Sequence, residues 1–302
     1  MIEGRNKARA WAEFWARQSG SDGGCLPQQM KNIEEAQRAA WHNFSSRLPE
    51  NAKVLDLATG NGRVLAWLLN FKNNIDAVGI DLSPHLPPSP NGTEIHCGVA
   101  MERLPFADDS FDVVTSQFGF EYGDCELTAR EINRVLTTGG RAGLMLHRGD
   151  GPILQHNVHR RAQIAWVINE TGLLERVRAA ANEGPTALRE ATELAAARAR
   201  YGERRWGHGS AAWEIPEAIR QTLMLGSNGP REKLHETLDA IETQARSEME
   251  RIDCLAEACS AADDRDALRH IFTSAGLAVV ETIDVAEKSG RRFASLIVLE
   301  PR

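Results

Sequence analysis

The sequence predicts an α/β fold built on a mostly parallel β-sheet. Between Lys53 and His147, short runs rich in β-branched residues alternate with stretches whose apolar residues recur three or four positions apart. Such alternation is typical of βαβ units, in which each strand is followed by a helix that covers the sheet. The 302 residues, 42% of them hydrophobic, suffice for one large domain or for a domain with a substantial insertion.

The predicted strands follow one another at regular intervals. The stretch GRVLAWLLN after the first strand and the stretch CELTAREINRVL before the last are predicted to be helices. In a parallel sheet, ligands bind outside the carboxyl ends of the strands, so the residues that follow each strand are the candidates for a site. The five predicted strands are Lys53–Leu57, Ile75–Asp81, Thr93–Gly98, Phe111–Ser116 and Gly140–His147.

Helical sequence flanks this region on both sides. Arg9 to Leu48 is predicted to be helical and is rich in aromatic residues. The region 148–269 is almost free of strand patterns and contains two long amphipathic stretches, 153–177 and 231–258. After it, two β-rich runs around EKSG predict a closing antiparallel hairpin. The N-terminal aromatic residues are Trp11, Phe14, Trp15, Trp41 and Phe44.

Charge and cysteine usage narrow the class of protein. A net charge of -7 argues against a long footprint on a nucleic acid. The five cysteines are scattered and include no C-x-x-C pair, a pattern that favours a reducing compartment and indicates no metal site. No run has the length or hydrophobicity of a signal peptide or a membrane span. We expect a cytoplasmic protein that does not enter a membrane.

The stretch VLDLATGNGRV places a glycine-rich turn between the first strand and its helix. Gly60 and Gly62 would allow a ligand to approach the backbone closely. A dinucleotide-binding G-x-G-x-x-G pattern would need a small residue where Leu65 stands, and a phosphate-binding loop would need a lysine after the last glycine. Asp56, inside the strand, would repel a phosphate and attract a cation. The pattern therefore favours a ligand other than a nucleotide phosphate.

A second acid, Asp81, ends the second predicted strand, 25 positions after Asp56. In βαβ nucleotide sites an acid at this place accepts hydrogen bonds from ribose hydroxyls. Each acid also has a structural interpretation, because Asp56 could satisfy backbone amides and Asp81 could cap the turn DLSP. Found together with the glycine turn, the two acids favour a ligand site.

Four segments in order resemble the class I S-adenosylmethionine-dependent methyltransferases: VLDLATGNG, AVGIDLSP, MERLPFADDSFDVV and REINRVLTTGGRAGLML. The similarity is strongest to the subgroup that methylates small molecules and includes the ubiquinone and menaquinone enzymes. It covers about Val54 to His147, and the final hairpin is similar to that family's last two strands. The resemblance implies a Rossmann-like, seven-stranded, mostly parallel sheet with a C-terminal antiparallel hairpin and a large helical insertion.

The resemblance also implies S-adenosylmethionine as the cofactor and a set of residues that bind it. Asp56 would anchor the glycine loop beneath the methionine portion, Asp81 would bind the ribose hydroxyls, and Leu82 would pack on the adenine. Ala58 replaces the usual first glycine, and Ala100 stands where many relatives carry an acid. The implied cofactor-binding residues are Asp56, Ala58, Thr59, Gly60, Gly62, Asp81, Leu82, Met101, Glu102, Ser116 and Gln117.

Methyl transfer from a sulfonium needs a general base only when the nucleophile carries a proton. His147, at the end of the fifth strand, and Glu121 and Tyr122, after the fourth, are candidate catalytic residues. A hydrogen-bonded or solvated histidine, and a merely polar loop at Glu121 and Tyr122, are the alternatives. No metal-binding residues are predicted.

The resulting domain prediction has three parts. Residues 1–50 form an N-terminal helical lid segment, 51–147 and 270–302 form the Rossmann-like core, and 148–269 form an insertion that caps the substrate or serves as an oligomer interface. We expect methyl transfer by in-line displacement to an O, N or C atom of a small organic acceptor, and a homodimer is possible. An RNA or protein methyltransferase, a nicotinamide oxidoreductase and a non-catalytic S-adenosylmethionine-binding subunit are the alternatives.

Overall fold

The computed structural model describes residues 31–72, 74–226 and 230–302 and contains one seven-stranded sheet. The strands in chain order are β1 (Lys53–Leu57), β2 (Asp76–Asp81), β3 (Thr93–Cys97), β4 (Phe111–Gln117), β5 (Leu136–His147), β6 (Leu277–Ala286) and β7 (Arg292–Pro301). Their order across the sheet is β3-β2-β1-β4-β5-β7-β6. The first five strands pair in parallel, and β7 runs antiparallel to both β5 and β6. The predicted fold class, including the C-terminal hairpin, is confirmed.

Nine helices are present in the described part of the chain. They are α1 (Lys31–Ser45), α2 (Arg63–Phe71), α3 (Cys125–Val135), α4 (Pro152–Ala165), α5 (Leu173–Glu183), α6 (Pro185–Trp206), α7 (Ala211–Gly226), α8 (Arg231–Asp263) and α9 (Arg265–Ser274). A π-helical turn, Trp166–Glu170, follows α4, and a 3-10 turn, Phe120–Tyr122, follows β4. No helix in the described ranges is both long enough and apolar enough to cross a membrane.

Side chains of the sheet alternate between two hydrophobic clusters. Val54 joins the cluster that contains Trp41 and Phe44 of α1, whereas Leu55 joins the cluster that contains Ile132 of α3. Trp41 is fully buried. Gly143 of β5 allows α1 to approach, because a Cβ there would lie 2.9 Å from the ring of Phe44. Trp11, Phe14 and Trp15 lie outside the described residues.

The chain divides into two compact units. The sheet unit comprises residues up to 155 together with 254–302, and the helical unit comprises His156–Asp253. The helical unit has its own core of leucine, isoleucine, valine and alanine side chains. Within it, α6 and α7 approach so closely that a Cβ on Gly202 would collide with the carbonyl oxygen of Ala212. The domain boundaries at 148 and 269 and the roles assigned to the three parts remain predictions.

One long helix predicted from the sequence is broken. The stretch 153–177 reads as continuous, but α4 ends at Ala165 and α5 begins only after Gly172. Gly172 has a left-handed φ of 61°, which an α-helix cannot accommodate. The hydrophobic periodicity persists across the break because both pieces bury a face, and so periodicity alone could not locate it.

Candidate active site

The glycine loop connects β1 to α2 through three left-handed residues. Ala58, Gly60 and Gly62 have φ values of 51°, 56° and 71°. The backbone amide of Thr59 donates to the carbonyl oxygen of Ile80 at 2.9 Å, which ties the loop to β2. A Cβ on Gly62 would lie 2.7 Å from Cδ of Pro90, so the position requires glycine for steric and conformational reasons. The loop thus has small residues at the carboxyl end of β1, where a ligand can approach the backbone.

Asp56 supports this loop from beneath. Its side chain is buried, and its two carboxylate oxygens accept hydrogen bonds from the hydroxyls of Thr59, at 2.7 Å, and Thr115, at 2.6 Å. Burial raises the pKa of the Asp56 carboxyl to about 7, with a smaller contribution from the nearby charge of Asp81. Asp56 therefore accepts hydrogen bonds from threonine hydroxyls. The structural interpretation made from the sequence had it accept from backbone amides instead.

Asp81 connects the end of β2 to the glycine loop. Its Oδ2 accepts from the amide of Gly60 at 2.9 Å, and its Oδ1 accepts from the amide of Ser83 at 2.8 Å. The second bond is the turn cap considered from the sequence, and the first brings the carboxylate to the loop. Burial raises the pKa of Asp81. No lysine or arginine among the described residues pairs with Asp56 or Asp81, so the two acids, when ionised, form a negative centre that no cationic side chain offsets.

The predicted adenine-side residues differ in exposure. Leu82, directly after Asp81, is 52% exposed and offers an apolar surface beside the carboxylate. Met101 and Glu102 are half-buried, and Oε1 of Glu102 accepts from the amide of Asp124 at 3.0 Å. Glu102 thereby connects this side of the site to the N-terminus of α3.

Ser116 and Gln117 hold the end of β4 in place. The Ser116 hydroxyl is fully buried, donates to the carbonyl oxygen of Leu57 at 3.1 Å and accepts from the amide of Phe120 at 3.1 Å. Oε1 of Gln117 accepts from the indole Nε1 of Trp41 at 2.7 Å. These two side chains order the loop that follows β4, and their contact with a cofactor remains a prediction.

The three candidate catalytic residues come together at the ends of β4 and β5. Oε1 of Glu121 lies 2.8 Å from Nδ1 of His147 and accepts from the backbone amide of His147 at 2.9 Å. The ring of Tyr122 meets the imidazole edge-on, with centroids 5.9 Å apart. Of the two structural alternatives for His147, the structure shows the hydrogen-bonded histidine and not the solvated one, since the side chain is only 8% exposed.

Sequence reasoning missed three residues that shape this site. Thr115 is the second partner of Asp56, Phe118 stacks on His147 with centroids 3.9 Å apart, and Gly119 lies against the glycine loop. The signal for the last two is the stretch SQFGFEYG directly after a predicted strand, where aromatic residues and glycines alternate. Thr115 carries no local signal, because its partner is 59 positions away.

No group of three or more His, Cys, Asp or Glu side chains that could hold a metal ion occurs in the described ranges. The site therefore consists of a glycine loop, two buried aspartates and a Glu121–His147 pair at adjoining strand ends.

Comparison with known proteins assigns this arrangement to a class. Residues 55–144 match the methyltransferase domain family. A demethylmenaquinone methyltransferase of Chlorobaculum parvum is 40% identical over 96 residues, which are 30% of this chain and 39% of that protein. A ubiquinone/menaquinone biosynthesis C-methyltransferase of Geotalea uraniireducens is 34% identical over 119 residues, which are 35% of this chain and 51% of that protein. The chain thus spans about half the length, or less, of these relatives.

Among solved structures, the chain is similar to the Burkholderia thailandensis 1,6-didemethyltoxoflavin-N1-methyltransferase with bound 1,6-didemethyltoxoflavin and S-adenosylhomocysteine. The identity is 10%, the alignment covers 99% of this chain and 88% of that chain, and the TM-score is 0.47.

The strand order, the acidic strand ends and the family match define a class I S-adenosylmethionine-dependent methyltransferase domain. Within that class, the domain is similar to the ubiquinone and menaquinone methyltransferases.

The residues present fit S-adenosylmethionine as the cofactor. Its ammonium and sulfonium groups are cationic, and Asp56 and Asp81 are carboxylates that no lysine or arginine among the described residues neutralises. Its ribose hydroxyls are donors that a carboxylate at Asp81 can accept. Gly60 and Gly62 leave the loop without side chains at the point of closest approach, and exposed Leu82 suits an apolar base.

Proposed function

We propose that this protein transfers the methyl group of S-adenosylmethionine to a small organic acceptor. The observation that carries the proposal is the negative centre formed by Asp56 and Asp81 at the glycine loop. Because the carboxylate of Asp81 accepts hydrogen bonds only from the amides of Gly60 and Ser83 among the described residues, it can accept further bonds from a ribose. When bound, the cofactor supplies the electrophilic methyl carbon, and the protein's part is to orient the acceptor and exclude water.

A small organic acceptor is favoured by two observations. The curated relatives carry the names of ubiquinone and menaquinone methyltransferases, whose acceptors are organic molecules rather than polymers. A net charge of -7 also disfavours nucleic acid. We place the acceptor at the ends of β4 and β5, beside Glu121, Tyr122 and His147.

The cofactor site is tested by isothermal titration calorimetry with S-adenosylhomocysteine. We expect the wild type to bind and Asp81→Ala to lose affinity at least about 100-fold, because a buried carboxylate acceptor and an anchor of the loop are both removed. Asp76→Ala is the matched control, since Asp76 lies at the other end of β2 and pairs only loosely with Lys53, at 4.0 Å. Absence of binding by the wild type would exclude the proposal.

The acceptor class is tested by incubating the protein with radiolabelled S-adenosylmethionine and three fractions: cell metabolites, RNA and protein. Label in the metabolite fraction supports the proposal. Label in RNA or protein would replace it with the macromolecular alternative, and binding without any transfer would favour a non-catalytic subunit.

A further inference from the structure

Glu121 and His147 form a buried carboxylate–imidazole pair. The Glu121 side chain has no exposed surface, and Oε1 lies 2.8 Å from Nδ1 of His147. A carboxylate oxygen can only accept, so Nδ1 carries the proton of this bond. In the neutral imidazole, Nε2 then holds the lone pair and is the basic atom.

The basic atom is accessible. Nε2 of His147 has no hydrogen-bond partner among the described residues, and it is absent from their buried polar atoms that lack a partner. Oε2 of Glu121, by contrast, is buried and has no partner within the described part of the chain. The pair therefore fixes one side of the imidazole inside the protein and leaves the other side available to a ligand.

The loop after β4 connects this pair to the glycine loop. Phe118 has a left-handed φ of 55°, is held by a hydrogen bond from its amide to the carbonyl oxygen of Met145 at 2.8 Å, and stacks on His147. The next residue, Gly119, lies so close to the glycine loop that a Cβ there would be 2.5 Å from Cβ of Ala58. Two consecutive residues thus contact the pair and the cofactor loop, which places both at the same edge of the sheet.

The charge of Glu121 acts on two cysteine thiols. Burial, reinforced by the charge of Glu121, raises the pKa of Cys125 of α3 and of Cys259 of α8 to about 12. Both thiols therefore stay neutral near pH 7. The other charged groups acting on these two thiols are Glu102, Asp124 and Asp263, all acidic, and Tyr122 contacts the imidazole.

We propose that Nε2 of His147 is the general base of the methyl transfer, with Glu121 as its positioning residue, and that the acceptor is a compound whose reacting group is an ionisable hydroxyl. This inference rests on the proposed function. The hydroxyl proton passes to Nε2 of His147, and the electron pair it leaves on the acceptor forms the new bond to the methyl carbon. The carbon–sulfur bond breaks with its pair remaining on sulfur, and the imidazolium later releases its proton to water.

The first test requires no turnover. In protein labelled with ¹⁵N-histidine and saturated with S-adenosylhomocysteine, we expect His147 to show the neutral tautomer with the proton on Nδ1. Glu121→Gln is expected to shift His147 to a mixture of tautomers. A proton on Nε2 of the wild-type His147 would overturn the proposal.

The second test measures single-turnover transfer of labelled methyl from S-adenosylmethionine to a panel of phenols. We expect His147→Gln to lower the rate at least about 100-fold, and Glu121→Gln at least about tenfold, while S-adenosylhomocysteine affinity stays within about twofold. His96→Gln is the control: His96 lies 3.1 Å from Glu94 in a similar but exposed pair on β3.

The pH dependence separates a base from a structural histidine. As the pH rises, phenols ionise before they bind and no longer need a base. The ratio of the wild-type rate to the His147→Gln rate is therefore expected to fall about tenfold or more. If the histidine were only structural, this ratio would not change with pH. Equal rates for wild type and His147→Gln, or S-adenosylhomocysteine binding without transfer to any phenol, would overturn the inference. Failure of the wild type to bind S-adenosylhomocysteine would instead overturn the proposed function.

Discussion

Both units carry acid–arginine pairs near the surface, but among the described residues only the sheet unit also buries carboxylates. In the helical unit, acidic side chains pair with arginines near the surface: Arg178 of α5, for example, bonds Asp239 at 2.6 Å and Glu242 at 2.7 Å, both on α8. In the sheet unit, Asp56 and Asp81 are buried and bonded only to hydroxyl and amide donors within the described ranges.

The difference distinguishes the helical unit, whose charges lie near the surface, from the sheet unit, whose buried acids can bind a ligand. Ion pairs at the surface require little desolvation and contribute little to stability. Buried carboxylates without a cation cost stability, because desolvation opposes their charged form. The sheet unit concentrates two such acids, Asp56 and Asp81, near the carboxyl ends of β1 and β2, where a cationic ligand can offset their charge.

The largest expected effect contrasts two tightly packed glycines, one in each unit. Gly119→Ala would place a Cβ 2.5 Å from Cβ of Ala58 and 2.9 Å from the Ser116 hydroxyl, and Gly202→Ala would collide with the backbone of α7. We expect each change to lower the free energy of unfolding by about 3 kcal/mol or more, since neither neighbour can move freely. Urea unfolding measures this loss.

The two glycine variants should differ in binding. Gly119→Ala distorts the glycine loop, so S-adenosylhomocysteine affinity is expected to fall at least about tenfold, whereas Gly202→Ala should leave it within about twofold. Equal losses of S-adenosylhomocysteine affinity in both variants would show that the sheet unit is not specifically the unit that binds the cofactor.

The second prediction concerns Asp56 and pH. Its pKa is raised to about 7 by burial, so the folded protein without ligand binds a proton more tightly than the unfolded chain does. Its stabilising contribution is therefore complete below about pH 4 and is lost as the pH rises through about 7. Asp56→Asn keeps the shape but cannot ionise, so its stability relative to the wild type should improve by about 3 kcal/mol between pH 5 and pH 8.

Urea titrations of both proteins at several pH values check this expectation. Asp76→Asn, at an exposed carboxylate on the next strand, is the control and should show no such trend. Parallel stability curves for wild type and Asp56→Asn would mean that Asp56 is not protonated in the folded state near neutral pH.

The smallest effect is expected in the helical unit. Arg178→Ala removes two ion pairs whose partners, Asp239 and Glu242, are 65% and 20% exposed. Solvent screening leaves such pairs little net energy, so we expect a loss of less than about 1 kcal/mol that shrinks further in 0.5 M salt. A loss of several kcal/mol would show that the helical unit also depends on buried charge.

Local patterns in the sequence are enough to predict the sheet and the positions of the glycine loop and its two aspartates. The parallel strands, the terminal hairpin and α8 follow from hydrophobic periodicity, which records how each segment buries a face. Asp56, Gly60, Gly62 and Asp81 lie in two short segments whose spacing alone indicates a ligand. The break between α4 and α5 escaped this reasoning, since one left-handed glycine at Gly172 interrupts a helix without disturbing its apolar pattern.

The sequence by itself determined the fold class, the position of the glycine loop and the two aspartates that accompany it, because these depend on interactions between near neighbours and on strand ends that a parallel sheet must align. Only the tertiary structure decided that Glu121 and His147, 26 positions apart, share a hydrogen bond, and that Phe118 and Gly119 lie between that pair and the glycine loop. Contacts between the ends of different strands depend on sheet order, register and one strained loop, and no local pattern encodes them.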